Sequence, residues 1–161
     1  MSNVSQITPG SLPVEAGEVL HQVEIGPCEM RLYASGVIYM IDVPGVNELW
    51  TPAHQNRADM WVRSVAPGLD RWYSMSICRK LPQMSFEALN ESPPLSPESA
   101  RGCLALVVTN RFGAVLANWL VGFIRWAGKA RVHITSTEAE AWDLICEMMK
   151  ADGFEWDPDA S

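Results

Sequence analysis

Two consecutive strand–helix units between Arg101 and Ala151 constrain the fold of this chain more than any other feature. The first unit begins with Cys103–Thr109, an unbroken apolar run that is typical of a strand buried on both faces. Apolar side chains then recur at helical spacing from Phe112 to Trp126, and Gly128 provides a helix end. This pattern predicts a buried strand followed by a long helix.

The second unit is shorter and has a clearer helix start. Residues 130–134 (Ala-Arg-Val-His-Ile) predict a short strand. Thr137–Glu140 is a capping box, in which the threonine hydroxyl and the glutamate carboxylate each bond a backbone amide that the helix leaves unpaired. A helix is therefore expected after this box, ending at Ala151.

The N-terminal half predicts an antiparallel meander of three strands. Residues 18–25 and 29–34 alternate between apolar and polar side chains, as half-buried strands do. Residues 37–43 are apolar on both faces and belong nearer the middle of a sheet. The short turns Gly26-Pro27 and Ser35-Gly36 join the three strands, which favours antiparallel neighbours.

The middle of the chain predicts a helix, a strand and a second helix. Thr51-Pro52 combines a capping hydroxyl with proline at the first helical position, and the helix extends to Val65. Residues 71–81 predict a strand, and Ser85–Asn90 predicts a short helix. Residues 92–97 predict a stiff, proline-rich connector without regular structure. The strand should place Tyr73, Met75 and Ile77 on one face and Trp72, Ser74, Ser76 and Cys78 on the other.

Together these elements predict a single-domain α/β fold with one mixed β-sheet and about four helices. Right-handed crossovers should bring the strands that start near residues 37, 71, 103 and 130 side by side in parallel. The N-terminal meander should then form an antiparallel edge of the same sheet.

The domain is expected to span residues 18–151. Residues 1–17 contain scattered proline, glycine and polar side chains, which predict a flexible arm with at most one ordered turn. Residues 152–161 predict an acidic tail, although Phe154 and Trp156 could pin it to the domain.

Charge and composition argue against several classes of function. The net charge of −7 over 161 residues provides no basic surface for nucleic acid or for anionic lipid. The four cysteines are widely spaced, which predicts reduced thiols in the cytoplasm, not a disulfide or metal framework. No secretory signal is visible, and the most apolar helix is too short to cross a bilayer. We therefore expect a cytoplasmic protein that binds neither nucleic acid nor membrane.

Two segments carry a resemblance to a known family. They are Gly102–Leu120, which reads GCLALVVTNRFGAVLANWL, and Ala130–Trp142, which reads ARVHITSTEAEAW. Together they resemble the closing half of SpoIIAA-like domains of the STAS superfamily (sulfate-transporter and anti-sigma-factor-antagonist domains). The resemblance covers roughly residues 18–150 and implies the STAS/SpoIIAA-like fold and a regulatory role in a bacterial-type cytoplasm.

The resemblance also points to one candidate modification site. Anti-sigma-factor antagonists of this superfamily carry an aspartate–serine phosphoacceptor motif at the helix that follows the fourth strand. The corresponding segment here, Ile77–Phe86, lacks the aspartate and retains Ser85. Ser85 is the candidate phosphoacceptor by position, and a plain helix-capping serine is the alternative.

The sequence shows no recognisable catalytic or metal-binding motif. It contains no nucleophile elbow, phosphate loop or dinucleotide fingerprint, and its three histidines lie on different predicted elements. His21 falls on the inward side of the first strand, where a structural hydrogen bond is expected. Asp42 and Asp70 lie near strand ends, where an enzyme could use them, but such aspartates more commonly form turns. We therefore expect no catalytic residue, no metal and no cofactor.

The predicted helix from Phe112 to Ala127 has an unusually wide apolar surface, because only Asn118 and Arg125 are polar. Three explanations remain open: a large core against the sheet, a surface covered by a twin subunit, or a pocket for an apolar small molecule. The candidate dimer or ligand surface consists of Phe112, Trp119, Phe123 and Trp126.

The favoured hypothesis is a non-catalytic interaction or regulatory domain of SpoIIAA-like fold that self-associates as a homodimer. The alternative is a sensor domain that binds a small apolar ligand. An enzyme that uses Asp42 or Asp70 is the third hypothesis. The identity of a protein partner is not indicated by the sequence.

Overall fold

A computed structural model of the chain describes residues 11–78, 96–109 and 131–160. Within these residues the chain forms six strands, three α-helices and one 3₁₀ turn at Val14–Ala16. The strands are β1 (Val19–Ile25), β2 (Cys28–Tyr33), β3 (Val37–Asp42), β4 (Tyr73–Cys78), β5 (Cys103–Val108) and β6 (Val132–Thr135). The helices are α1 (Pro52–Val65), α2 (Pro97–Arg101) and α3 (Glu138–Ala151).

The six described strands form one sheet, in which neighbours in the sheet are also neighbours in the sequence. β1, β2 and β3 pair antiparallel, and β3, β4, β5 and β6 pair parallel. The register aligns Ile41 with Ile77 and Ile77 with Val107. The predicted mixed sheet and the predicted side-by-side order of the four parallel strands are therefore confirmed.

Each face of the sheet carries a hydrophobic core. The α3-side core joins Ala141, Trp142 and Ile145 of α3 to inward residues of β3, β4 and β5. The α1-side core joins Ala58 and Val62 of α1 to residues of β1, β2 and β3. Because helices cover both faces, β3 buries the consecutive side chains Val37, Ile38 and Tyr39, which accounts for the continuous apolar run at the start of this strand.

Both long helices begin at the predicted capping residues. The Thr51 hydroxyl accepts a hydrogen bond from the His54 amide, and His54 Nδ1 accepts one from the Thr51 amide at 3.1 Å. In α3, the Thr137 hydroxyl accepts from the Glu140 amide at 3.2 Å. The Glu140 carboxylate accepts from the amide of Ser136, one residue earlier than in an ordinary capping box.

Two local predictions are wrong. His21 is exposed, because β1 is the edge strand of the described sheet and its pairing with β2 is irregular between Val19 and His21. The proline-rich connector does not stay irregular to its end, because Pro97 occupies the first turn of α2 and Ser96 caps that helix. The helices predicted at 85–90 and 112–127 lie outside the described residues, so α1 and α3 are the predicted helices that the structure shows.

Residues near both ends of the chain pack on the domain. Leu12 and Ala16 are 8% and 0% exposed and belong to the α3-side core. Phe154 contacts both cores and Trp156 contacts the α1-side core, so this segment passes from one face of the sheet to the other. A methyl group on Gly36 would lie 3.1 Å from each of these two rings, which places them beside the turn between β2 and β3.

No helix in the described part of the chain is long and apolar enough to cross a membrane. Cys103 is buried and Cys146 is exposed, and neither forms a disulfide with another residue that the structure describes. Within residues 11–78, 96–109 and 131–160, no group of three or more His, Cys, Asp or Glu side chains could hold a metal ion.

Candidate functional site

A cavity of about 90 Å³ lies between α1 and the parallel part of the sheet. Its apolar wall includes Met30, Ile38, Met40, Val62, Leu104 and Val132. Its polar wall includes Gln55, Asp59, Ser74, Ser99 and Arg131. A mainly apolar wall with a few polar groups is the usual composition of a small-molecule site.

The cavity exists because β4 presents small side chains to α1. Ser74 lies between Ile38 on β3 and Leu104 on β5 in the sheet register. Ser76 likewise lies between Met40 and Leu106. Since a serine side chain is much shorter than its neighbours on either side, β4 forms a trough beneath the helix.

The helix closes this trough with side chains at helical spacing. Gln55, Ala58, Asp59 and Val62 all line the cavity, and their spacing of three and four residues places them on one face of α1. Ala58 is small and leaves room above the serines. Gln55 and Asp59 bring polar groups to an otherwise apolar helix face.

Asp59 is half-buried and belongs to a short chain of hydrogen bonds. Gln55 Nε2 donates to Asp59 Oδ1 at 3.0 Å, and Trp50 Nε1 donates to Gln55 Oε1 at 3.3 Å. Burial raises the pKa of the Asp59 carboxyl above its ordinary value, against the opposing effects of Gln55 and Arg63. The cavity therefore has an oriented carboxyl group in its wall.

Trp72 contributes a donor that is unpaired among the described residues. Its side chain is 4% exposed and lines the cavity, and its buried indole Nε1–H has no hydrogen-bond acceptor among the described residues. The Arg63 guanidinium lies over the ring, 5.6 Å from its centroid, in a cation–π contact. A buried donor without an acceptor costs about 1 to 3 kcal/mol. An acceptor that reaches this group recovers that free energy.

Arg131 belongs both to the cavity wall and to a second polar group, the Arg131 cluster, which consists of Arg71, Tyr73, Arg131 and Asp152. Arg131 Nη1 donates to Asp152 Oδ1 at 3.1 Å, and Nη2 donates to Asp152 Oδ2 at 2.5 Å. The Tyr73 hydroxyl donates to Asp152 Oδ2, also at 2.5 Å. The guanidinium holds the pKa of the Asp152 carboxyl below its usual value, and burial together with Asp152 raises the pKa of Tyr73 to about 12.

A third polar group lies at the C-terminal ends of the parallel strands, the opposite end from the Arg131 cluster. Cys28 Sγ lies 3.9 Å from Asp42 Oδ1, and His54 Nε2 lies 3.2 Å from Glu48 Oε1. His54 is buried, and its other ring nitrogen, Nδ1, accepts the capping hydrogen bond at the start of α1. The imidazole therefore has a structural role.

The structure separates the two aspartates that the enzyme hypothesis used. Asp42 is the last residue of β3. Asp70 precedes β4 and therefore lies near the N-terminal ends of the parallel strands. A six-residue strand separates these two ends by about 17 Å, so the two carboxyl groups do not share a site. Ser85 and the predicted surface of Phe112, Trp119, Phe123 and Trp126 lie outside the described residues.

Sequence reasoning missed the cavity residues Asp59, Trp72 and Ser74 as a group. The signal that could have found them is the pair of serines on one face of a strand that should be central. A buried parallel strand normally carries large apolar residues there, so alternate serines indicate a gap in the packing.

A scan against protein-family models, a search of curated proteins and a search of solved structures found no significant match to this chain. The resemblance to SpoIIAA-like domains therefore depends on the sequence segments that carry it.

Proposed function

We propose that this chain is a small-ligand-binding regulatory domain and that its ligand lies between α1 and β4. The observation that carries the proposal is a mainly apolar cavity whose wall includes the half-buried Asp59 carboxyl and the side chain of Trp72, whose indole N–H has no acceptor among the described residues. Regulatory action in the cytoplasm, without bond-making chemistry, is the part of the proposal that the SpoIIAA-like resemblance supports.

The size of the cavity limits the ligand. Its volume is about 90 Å³. Pockets for drug-sized ligands are larger, about 300 to 1,000 Å³. A ligand that fits therefore has only a few non-hydrogen atoms.

The polar groups of the wall define its chemistry. The Trp72 N–H requires an acceptor, and the Asp59 carboxylate and Ser74 hydroxyl accept hydrogen bonds from a donor. Met30, Ile38 and Val62 favour an apolar remainder. Short-chain primary amides satisfy all three conditions, because they combine a carbonyl, an NH₂ group and a small alkyl tail.

The test uses the indole N–H resonance of Trp72 in ¹⁵N-labelled protein, assigned by its loss in Trp72→Phe. Acetamide, propionamide, isobutyramide and 1-propanol are titrated in turn. We expect at least one of them to shift the Trp72 resonance saturably, because an acceptor at Nε1 changes the shielding of that proton.

Two matched variants control the experiment. Ser74→Val puts extra carbon into the trough and should weaken binding about tenfold, which corresponds to about 1.4 kcal/mol. Ser76→Val makes the same change on the same face of β4, at a residue that does not line the cavity, and should leave the affinity within about twofold. A Trp72 resonance that none of the probes shifts saturably, or equal weakening in both variants, would contradict the proposal.

A second candidate function is self-association through the surface of Phe112, Trp119, Phe123 and Trp126. It is supported by the wide apolar surface of that predicted helix in the sequence. The half-buried apolar residues Leu104, Leu106 and Ile134 on β5 and β6 also support it. Light scattering at micromolar concentration should report a dimer that Trp119→Glu dissociates. A wild-type chain that remains monomeric would rule this function out.

A further inference from the structure

The guanidinium of Arg131 is positioned by groups that do not depend on its carboxylate partner. Nε donates to the Gly102 carbonyl at 2.8 Å, and Nη2 donates to the Arg101 carbonyl at 2.7 Å. These two carbonyls lie where the chain enters β5, between β4 and β6 in the sheet. The plane of the guanidinium is thus fixed before any anion binds, which is the property that makes an arginine an efficient carboxylate receptor.

Two further groups from the start of β4 converge on the same point. The Tyr73 hydroxyl donates to Asp152 Oδ2, and Arg71 Nη1 lies 3.7 Å from that oxygen. Arg131 contacts both oxygens of the same carboxylate. Arg71, Tyr73 and Arg131 therefore form a basic socket with a fork of donors for one carboxylate group.

The carboxylate that fills the socket belongs to a different part of the chain. Asp152 is the C-cap residue of α3, and its backbone amide donates to the carbonyl of Met148. The carboxyl end of a helix carries partial negative charge, which disfavours an acidic side chain at that position. The socket therefore stabilises the Asp152 carboxylate against the unfavourable effect of its own helix end.

We propose that the basic socket is a binding site for a small carboxylate anion, which Asp152 occupies in cis as an internal ligand. The socket is separate from the proposed amide site, although Arg131 borders both. A free carboxylate does not compete in the wild-type chain, because the tethered Asp152 has a high effective concentration. Removal of the Asp152 carboxylate opens the socket to an anion from solution.

The experiment is chemical rescue of Asp152→Ala in the full-length chain. Urea unfolding of the variant is followed in sodium acetate and in sodium formate, and each series is compared with sodium chloride at the same ionic strength. We expect the urea midpoint to fall in chloride and to recover saturably in the carboxylate salts. At ten times the dissociation constant, the apparent folding equilibrium constant should increase about 11-fold.

Two control chains make the rescue specific to the socket. The wild type should show no difference between acetate and chloride, because Asp152 fills the site. The double variant Asp152→Ala/Arg131→Met should also show none, because the fork of donors is gone. If Asp152→Ala is unfolded in chloride, the same comparison is made as recovery of the far-ultraviolet circular dichroism signal in acetate.

Three results would overturn the proposal: equal responses of Asp152→Ala to acetate and chloride, an equal acetate effect in the double variant, or no loss of stability in Asp152→Ala. Each leaves the amide-binding proposal untouched, because that site is tested on Trp72 with neutral probes.

Discussion

Replacement of Gly102 by alanine should be among the most damaging single-methyl changes in this domain. Gly102 lies between α2 and β5, directly against the backbone of Trp72. An alanine Cβ at this position would lie 1.9 Å from the carbonyl oxygen of Trp72 and 2.5 Å from its carbonyl carbon. Both neighbours are backbone atoms, so no side-chain rotation relieves the overlap.

The cost can be worked from the bonds around the clash. Carbon and oxygen atoms in contact are normally at least about 3.3 Å apart, so the two backbone segments must separate by about 1.4 Å. That movement strains the bond from the Cys103 amide to the Trp72 carbonyl at 3.1 Å and the bond from the Trp72 amide to the Glu98 carbonyl at 3.0 Å. With about 1 kcal/mol for each bond and about 1 to 3 kcal/mol for overpacking, the expected loss is about 3 to 5 kcal/mol.

Urea unfolding followed by tryptophan fluorescence measures this loss. With a slope of about 2 kcal/mol/M, the midpoint should fall by about 1.5 to 2.5 M. Gly68→Ala is the matched control, because a Cβ on Gly68 meets no atom within 4 Å. That variant should be neutral or stabilised by up to about 1 kcal/mol. A Gly102→Ala chain within about 1 kcal/mol of the wild type would refute the close approach of β5 to Trp72 and, with it, this side of the cavity wall.

Three further predictions concern the C-terminal segment and the thiols. The folded-state pKa of Asp152 lies below its ordinary value of 3.8, so its stabilising effect is present above that pH and is lost as the pH falls through the folded pKa. Urea midpoints of wild type and Asp152→Asn should therefore differ at pH 7 and converge as the pH falls below 3.8, and a constant difference would contradict the role of the charge. Phe154→Ala should lower the free energy of unfolding by about 2 kcal/mol, because its ring packs 4.8 Å from that of Tyr73. The control Glu155→Ala, at an exposed neighbour, should lower it by under about 0.5 kcal/mol. Equal urea midpoints for the two variants would show that this segment does not pack on the domain. Burial raises the pKa of the Cys103 thiol to about 11, and it also raises the pKa of Cys146, by less, although that residue is exposed. Iodoacetamide at pH 8 should therefore alkylate Cys146 in preference to Cys103 in peptide mapping of the native chain, and equal labelling would contradict the burial of Cys103.

The sheet was predictable because its signals are local. Continuous apolar runs in β3 and β5 indicated strands covered on both faces, and short turns indicated antiparallel neighbours. The alternation in β4 assigned Tyr73, Met75 and Ile77 to one face, and all three belong to the α3-side core. Capping threonines fixed the starts of α1 and α3.

The cavity was not predictable, because it depends on three elements at once. Ser74 creates space only because Ile38 and Leu104 lie beside it in register and α1 passes above it. The predicted inward orientation of His21 was wrong for a related reason. Alternation alone cannot show that β1 is an edge strand, where either face of a residue can meet solvent.

Asp152 shows where sequence reasoning stops. An acidic residue after a helix, followed by glycine, suggested a solvated tail, because its nearest neighbours in the sequence offer no partner for a buried carboxylate. Its partners are Arg131, 21 residues earlier, and Tyr73, 79 residues earlier. They meet because parallel strands β4 and β6 start at the same end of the sheet, and α3 returns the chain to that end. The local hint was the aromatic pair Phe154 and Trp156, whose burial requires the chain to turn back across this end of the sheet and thereby delivers the carboxylate to the arginine.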